Sequence, residues 1–162
     1  MVELPKRKKI RIAGYDYSTP GTYFLTVCID GRKPVLWNVG AATCRQKLSA
    51  IGAVVERAIL QIPEHYSMIT VDKYCIMPDH IHILLSINTD DAGRQVDAPN
   101  ISVVVGQMKR WFSMQVGYSV WQKSFIDRVI RNEKGYQAAW EYIENNPINL
   151  DSGYDMPDFD GM

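Results

Sequence analysis

The stretch Met77-Pro78-Asp79-His80-Ile81-His82-Ile83-Leu84-Leu85 constrains this chain more than any other. A Pro-Asp turn signal separates it from the loosely alternating run Ile69 to Met77. A connection this short joins two strands only as an antiparallel hairpin. Within a strand, side chains two apart leave the same face. Ile81, Ile83, Leu85 and Ile87 therefore point into a core, and His80 and His82 stand side by side on the opposite face. Two imidazoles so placed can hold one divalent metal ion, and they can equally be a structural pair. A metal site also needs a further ligand and something to act on.

The elements around the hairpin follow from periodicity. Thr22 to Ile29 is rich in β-branched and aromatic residues and reads as the first strand, ended by Asp30-Gly31. Residues 31 to 46 read as loop or a short extra strand. Leu48, Ile51, Val55, Ala58, Ile59 and Ile62 keep helical spacing with Glu56 and Arg57 off the stripe, and this helix stops near Pro63. Residues 88 to 100 have no apolar period and read as a surface loop. Ile101, Val104, Val105, Met108 and Phe112 mark a second amphipathic helix whose other side carries Gln107, Lys109, Arg110 and Ser113. Ser119 to Ile130 looks extended, with Trp121, Phe125, Val129 and Ile130 as its heavy residues. A third helix runs from about Lys134 to Asn146 and stops at Pro147. The order β-α-β-β-α-β-α predicts an α+β fold, a ferredoxin-like antiparallel sheet with helices packed on it.

A length of 162 residues, 46% hydrophobic and 22% charged, suits one soluble domain with a real core. That domain spans 1–150, with a basic arm at about 1–12 and an acidic tail at 151–162. No apolar run approaches the roughly 20 residues of a membrane span. The basic N-terminus has no hydrophobic stretch behind it, so it does not read as a secretory signal. Cys28, Cys44 and Cys75 are odd in number and far apart, which argues against a disulfide framework and for a cytoplasmic chain with reduced thiols. The formal net charge of zero hides an asymmetry: Lys6, Arg7, Lys8, Lys9 and Arg11 crowd one end, and Asp151, Asp155, Asp158 and Asp160 the other. A basic arm can meet phosphate and an acidic tail can repel or mimic it; solvated ends have the same composition.

The third helix offers the remaining chemistry. Tyr136, Ala139, Trp140 and Ile143 form its core stripe. Tyr142 and Asn146, four apart, share a flank that the small Ala138 leaves open. A tyrosine can attack a phosphodiester and become covalently attached to it, and an amide oxygen can ligate a metal. The alternative is a half-buried aromatic with a hydrogen-bonded tip and a helix-ending Asn ahead of proline.

Taken together, these pieces resemble the single-tyrosine transposases of the HUH endonuclease class, above all the REP-associated tyrosine transposases. Ile12 to Tyr17 and Pro20 to Thr26 resemble the family's entry into its first strand. Met77 to Leu85 matches the His-hydrophobic-His motif with its Met-Pro-x-His lead-in, and Lys109 falls where the family tends to carry a lysine. Val120 to Phe125 and Arg128 to Glu133 resemble its Trp-Gln and Ile-Arg-Asn segments, and Trp140 to Pro147 its Tyr-Ile-x-x-Asn-Pro signature. Arg128 departs from the pattern, standing where many relatives carry histidine.

The resemblance implies that His80 and His82 are metal ligands with Asn146 as a third, that the ion is magnesium or manganese, and that Tyr142 is the nucleophile. It implies a substrate of single-stranded DNA next to a hairpin, cleaved and rejoined through a 5′-phosphotyrosine. Lys109, Arg110, Arg128, Arg131 and the arm, Lys6, Arg7, Lys8 and Lys9, would track its phosphates. Trp111 and Trp121 are either base-stacking platforms or core. Relatives include homodimers that exchange tyrosine helices and monomers that act within one chain. Two other readings remain: a non-catalytic nucleic-acid-binding module on the same fold, and a metal-dependent phosphodiesterase that uses water.

Overall fold

Four strands build one antiparallel sheet around the histidine hairpin. In the computed structural model, which describes residues 15–38, 48–89 and 99–146, β1 is Gly21–Cys28, β2 Ile69–Ile76, β3 His80–Ile87 and β4 Ile126–Ile130. The strands lie in the order β2-β3-β1-β4, and each neighbouring pair is antiparallel. The hairpin closes as tightly as Pro78-Asp79 predicts, with the Met77 N–H donating to the His80 carbonyl at 2.8 Å. The helices are α1 (Ala50–Leu60), α2 (Ile62–His65), α3 (Ile101–Val116) and α4 (Glu133–Asn145). The ferredoxin-like α+β arrangement is as expected, with α2 added.

Each longer helix begins on a side-chain cap that satisfies an otherwise orphaned N–H. Ser49 accepts from Gly52, Asn100 from Ser102 and Asn132 from Gly135. Helix α3 ends on Gly117, whose φ of +95° suits only a residue without Cβ.

Two expectations need correction. Pro63 does not stop α1: the helix breaks at Gln61, and Pro63 sits in the first turn of α2, where a missing N–H costs nothing. The stretch 119–125 is not regular strand. It runs beside the end of β1 through an isolated Ile29–Trp121 bridge, with the Gln122 N–H donating to the Cys28 carbonyl at 2.9 Å. Its heavy residues are buried all the same, because Trp121 packs edge-on against Phe112 of α3, ring centroids 5.4 Å apart.

The sheet separates two apolar clusters. On one face Leu25, Val27, Ile81, Ile83 and Leu85 meet Val55 and Ile59 of α1 and Val104, Met108 and Phe112 of α3. Burying each such side chain contributes roughly 1.5–3 kcal/mol, so this layer dominates stability. The other face holds a smaller cluster in which Phe24, Cys75, Leu84 and Ile130 meet Ala139 and Ile143 of α4. His80 and His82 belong to that second face. The basic arm, the acidic tail and most of the loop after β3 lie outside the described residues. Among the described residues no helix is long and apolar enough to cross a membrane.

Candidate functional site

Strand register sets the surroundings of the imidazoles. Thr26 lies opposite His82 and Cys28 opposite His80 on β1, and Cys75 of β2 lies on the other side of His82. The Asp79 carboxylate, 2.6 Å from His80 Nδ1, can only accept, so that nitrogen carries the proton and Nε2 keeps its lone pair. The other carboxylate oxygen accepts from Arg32 Nε at 2.9 Å. His82 Nδ1 is 2.9 Å from Thr26 Oγ1. Both Nδ1 atoms are thus engaged, and the two Nε2 atoms face each other at 3.2 Å.

Electrostatics keep both rings neutral near physiological pH. Burial pushes His82 down to about 3, helped by His80 and Arg32. Burial also lowers His80, outweighing the opposing pull of Asp79. Asp79 itself is raised by burial, yet His80 and Arg32 together hold its carboxyl below the usual range. Neutral imidazoles with engaged Nδ1 atoms are the form that binds metals.

The donor set fits a divalent ion. An octahedral ion about 2.1 Å from each ligand holds adjacent donors about 3 Å apart, close to the 3.2 Å between the Nε2 atoms. Among the described residues no three His, Cys, Asp or Glu side chains gather as a metal cluster, so a third protein ligand has to be of another kind. Asn146 is such a residue. Its backbone N–H donates to the Tyr142 carbonyl at 2.9 Å, and its carboxamide Nδ2 is buried with no partner. An orphaned buried amide end is costly, and turning the carboxamide over presents oxygen, a donor suited to magnesium or manganese.

Tyr142 stands over this pair. Its ring centroid lies 5.3 Å from that of His82 and 5.9 Å from that of Phe24, edge-on to both, and Phe24 stacks on His82 at 5.2 Å. Tyr142 thus meets the imidazole pair through the ring of His82.

The cationic residues are dispersed. Lys109 Nζ donates to the Gln122 and Ser124 carbonyls at 2.8 and 3.4 Å, tying α3 to the segment beside the end of β1. Arg110 lines a groove with His65, Tyr66, Trp111 and Met114 on the α1–α3 side, away from the imidazoles. Arg128 faces Phe24 across the β1–β4 register, hence on the imidazole face, and its Nε is buried without a partner. Arg131 is exposed just beyond β4. Lys6, Arg7, Lys8 and Lys9 lie outside the described residues. Trp121, 7% exposed, is core rather than a stacking platform; Trp111 is half-buried at the groove.

Three contributors escape the sequence reading. Asp79 is flagged there only as a turn residue, Thr26 is placed only by register, and Arg32 has no local signal. Arg32 reaches Asp79 from a short 3-10 turn in which Gly31 and Arg32 take φ of +66° and +53°.

No protein family model matches the chain. An uncharacterized protein of Haemophilus influenzae is 27% identical over 161 residues, 88% of this chain and 88% of that protein. The REP-associated tyrosine transposase of Escherichia coli K12 is 23% identical over 133 residues, 82% of this chain and 69% of that protein. A solved structure of a REP-associated tyrosine transposase bound to a REP hairpin superposes with a TM-score of 0.64 at 21% identity, covering 87% of this chain and 73% of that one. The resemblance drawn from the motifs is borne out by these relatives, and the fold by the solved structure.

Proposed function

We propose, taking the relationship to REP-associated tyrosine transposases as the premise, that this chain is a DNA transposase. It cleaves and rejoins single-stranded DNA beside a hairpin through a covalent 5′-phosphotyrosine on Tyr142. The observation that carries the reading is the Tyr142 ring 5.3 Å from His82 within one chain. A nucleophile beside a pair of facing imidazole nitrogens on one sheet face is what phosphodiester transfer without a nucleotide cofactor needs.

His80 and His82, with Asn146, would hold magnesium or manganese. Such an ion, when bound, supplies positive charge to a non-bridging oxygen of the scissile phosphate as negative charge builds there. The chain's own residues do the rest. Asp79 and Thr26 fix the ring orientations through Nδ1. Tyr142 Oη forms a bond to phosphorus while the bond to the 3′-oxygen breaks, and the phenol proton ends on the departing 3′-hydroxyl. The ester energy is retained, so a second 3′-hydroxyl can reverse the step on another DNA end. Free tyrosine has a pKa of about 10, so orientation by α4 must offset weak nucleophilicity. Arg128 is suited to meet phosphate on the same face, because a buried guanidinium nitrogen without a partner favours an anion.

The test is a covalent-adduct assay with single-stranded hairpin oligonucleotides and manganese. A denaturation-resistant protein–DNA adduct is expected, absent in Tyr142→Phe while oligonucleotide binding persists. An adduct of unchanged yield in that variant removes Tyr142 from the role. Cleavage to free ends without attachment would instead indicate water as nucleophile, and binding alone a non-catalytic module.

A further inference from the structure

We infer that Asp72 and Lys73, brought to one face by a bulge in β2, are positioning residues that set the rotation and height of the tyrosine helix over the imidazole pair. The inference rests on Tyr142 being the nucleophile.

The fully buried residues of helix α4 are Gly135, Ala139 and Ile143, and Tyr136, Trp140 and Tyr142 pack half-buried against the same cluster. Apolar burial is non-directional, so this packing holds the helix to the sheet without by itself fixing how it is turned. Two consecutive residues of β2 add directional contacts. Tyr136 Oη donates to Asp72 Oδ2 at 3.2 Å. Lys73 Nζ lies 4.4 Å from the centre of the Trp140 ring and 3.4 Å from Glu144 Oε1. Tyr136, Trp140 and Glu144 are spaced by four, so the strand grips one flank of the helix over two turns.

Consecutive strand residues normally point to opposite faces. Here the register shifts between Val71 and Lys73, and Asp72 is the extra residue. The bulge allows both side chains to serve the α4 face. Lys73 pairs with Leu84, and Asp72 Oδ2 accepts from Ser86 Oγ at 2.7 Å, both partners lying on that face. The Asp72 carboxylate is itself oriented, since Thr70 Oγ1 donates to its other oxygen at 3.0 Å. Tyr142 lies about 9 Å further along the axis than Tyr136 and roughly a third of a turn around it. A helix free to rotate at its base would swing the phenol past the imidazoles.

The experiment follows single-turnover adduct formation in Asp72→Ala, in Tyr136→Phe, which removes one hydroxyl only, and in the double variant. Amide hydrogen exchange is followed in parallel. Each single variant is expected to slow the covalent step about tenfold or more at saturating DNA, with oligonucleotide affinity unchanged. The double variant should be no slower than the slower single one, because both act through one bond. Exchange should rise in 133–146 but not in 50–60 or 101–116. Unchanged rate and exchange, additive losses, or a rate loss matched by weaker binding or by faster exchange throughout would overturn the inference. An inactive parent protein would defeat the functional reading alone, and exchange in α4 would still decide the clamp.

Discussion

Asp79 makes a lone-pair donor of His80, because its carboxylate takes the Nδ1 proton and is itself held by Arg32. Replacing Asp79 by Ala should therefore weaken manganese binding about 10–100-fold without unfolding the chain, as read by metal titration. His82 gives a pH dependence. Its folded value is depressed from 6.5 to about 3, so the unfolded chain binds a proton that the folded chain refuses. Stability then rises with pH across that window and is lost as pH falls from about 6.5 toward about 3. Thermal melts should show a falling midpoint over this range and a flatter acid limb in His82→Gln. The sequence exposed the two histidines through their spacing alone. It could not expose Thr26 or Arg32, since a register partner and a residue arriving from a left-handed turn have no mark in local pattern.

Elements with a strong period were legible. The residues expected to form the stripe of α3 are all buried, and the hairpin begins at the residue after Pro78-Asp79. Elements set by tertiary contact were not. The bulge at Asp72 interrupts an alternation that already looked loose, and α2 exists because Pro63 can start a turn as readily as end one. Close packing at the element scale also separates two glycines. A Cβ on Gly52 would stand 2.1 Å from the Leu36 carbonyl oxygen, whereas one on Gly106 meets nothing within 4 Å. Gly52→Ala should destabilise by about 1–3 kcal/mol, and Gly106→Ala, inside α3, should stabilise by roughly 0.5–1 kcal/mol. Denaturant midpoints with unchanged slopes would check both.

At the scale of the molecule, the sequence predicted the layers but not which sheet face α4 would take, because its short apolar stripe fits either. Packed on its own sheet, α4 brings Tyr142 to its own His82. A mixture of Tyr142→Phe and His80→Ala proteins, each inactive alone, should therefore form no adduct. An adduct in that mixture would show exchange of tyrosine helices between subunits.

The strand order leaves β2 and β4 as the outer strands of the sheet. One is kinked by its extra residue and carries Lys73 there; the other is only five residues long and includes Asp127 and Arg128. Neither margin offers the long, flat, uncharged ribbon that a stray strand would need for docking. With helices packed on both of its faces, the sheet thus resists sideways growth into fibrils at its two margins.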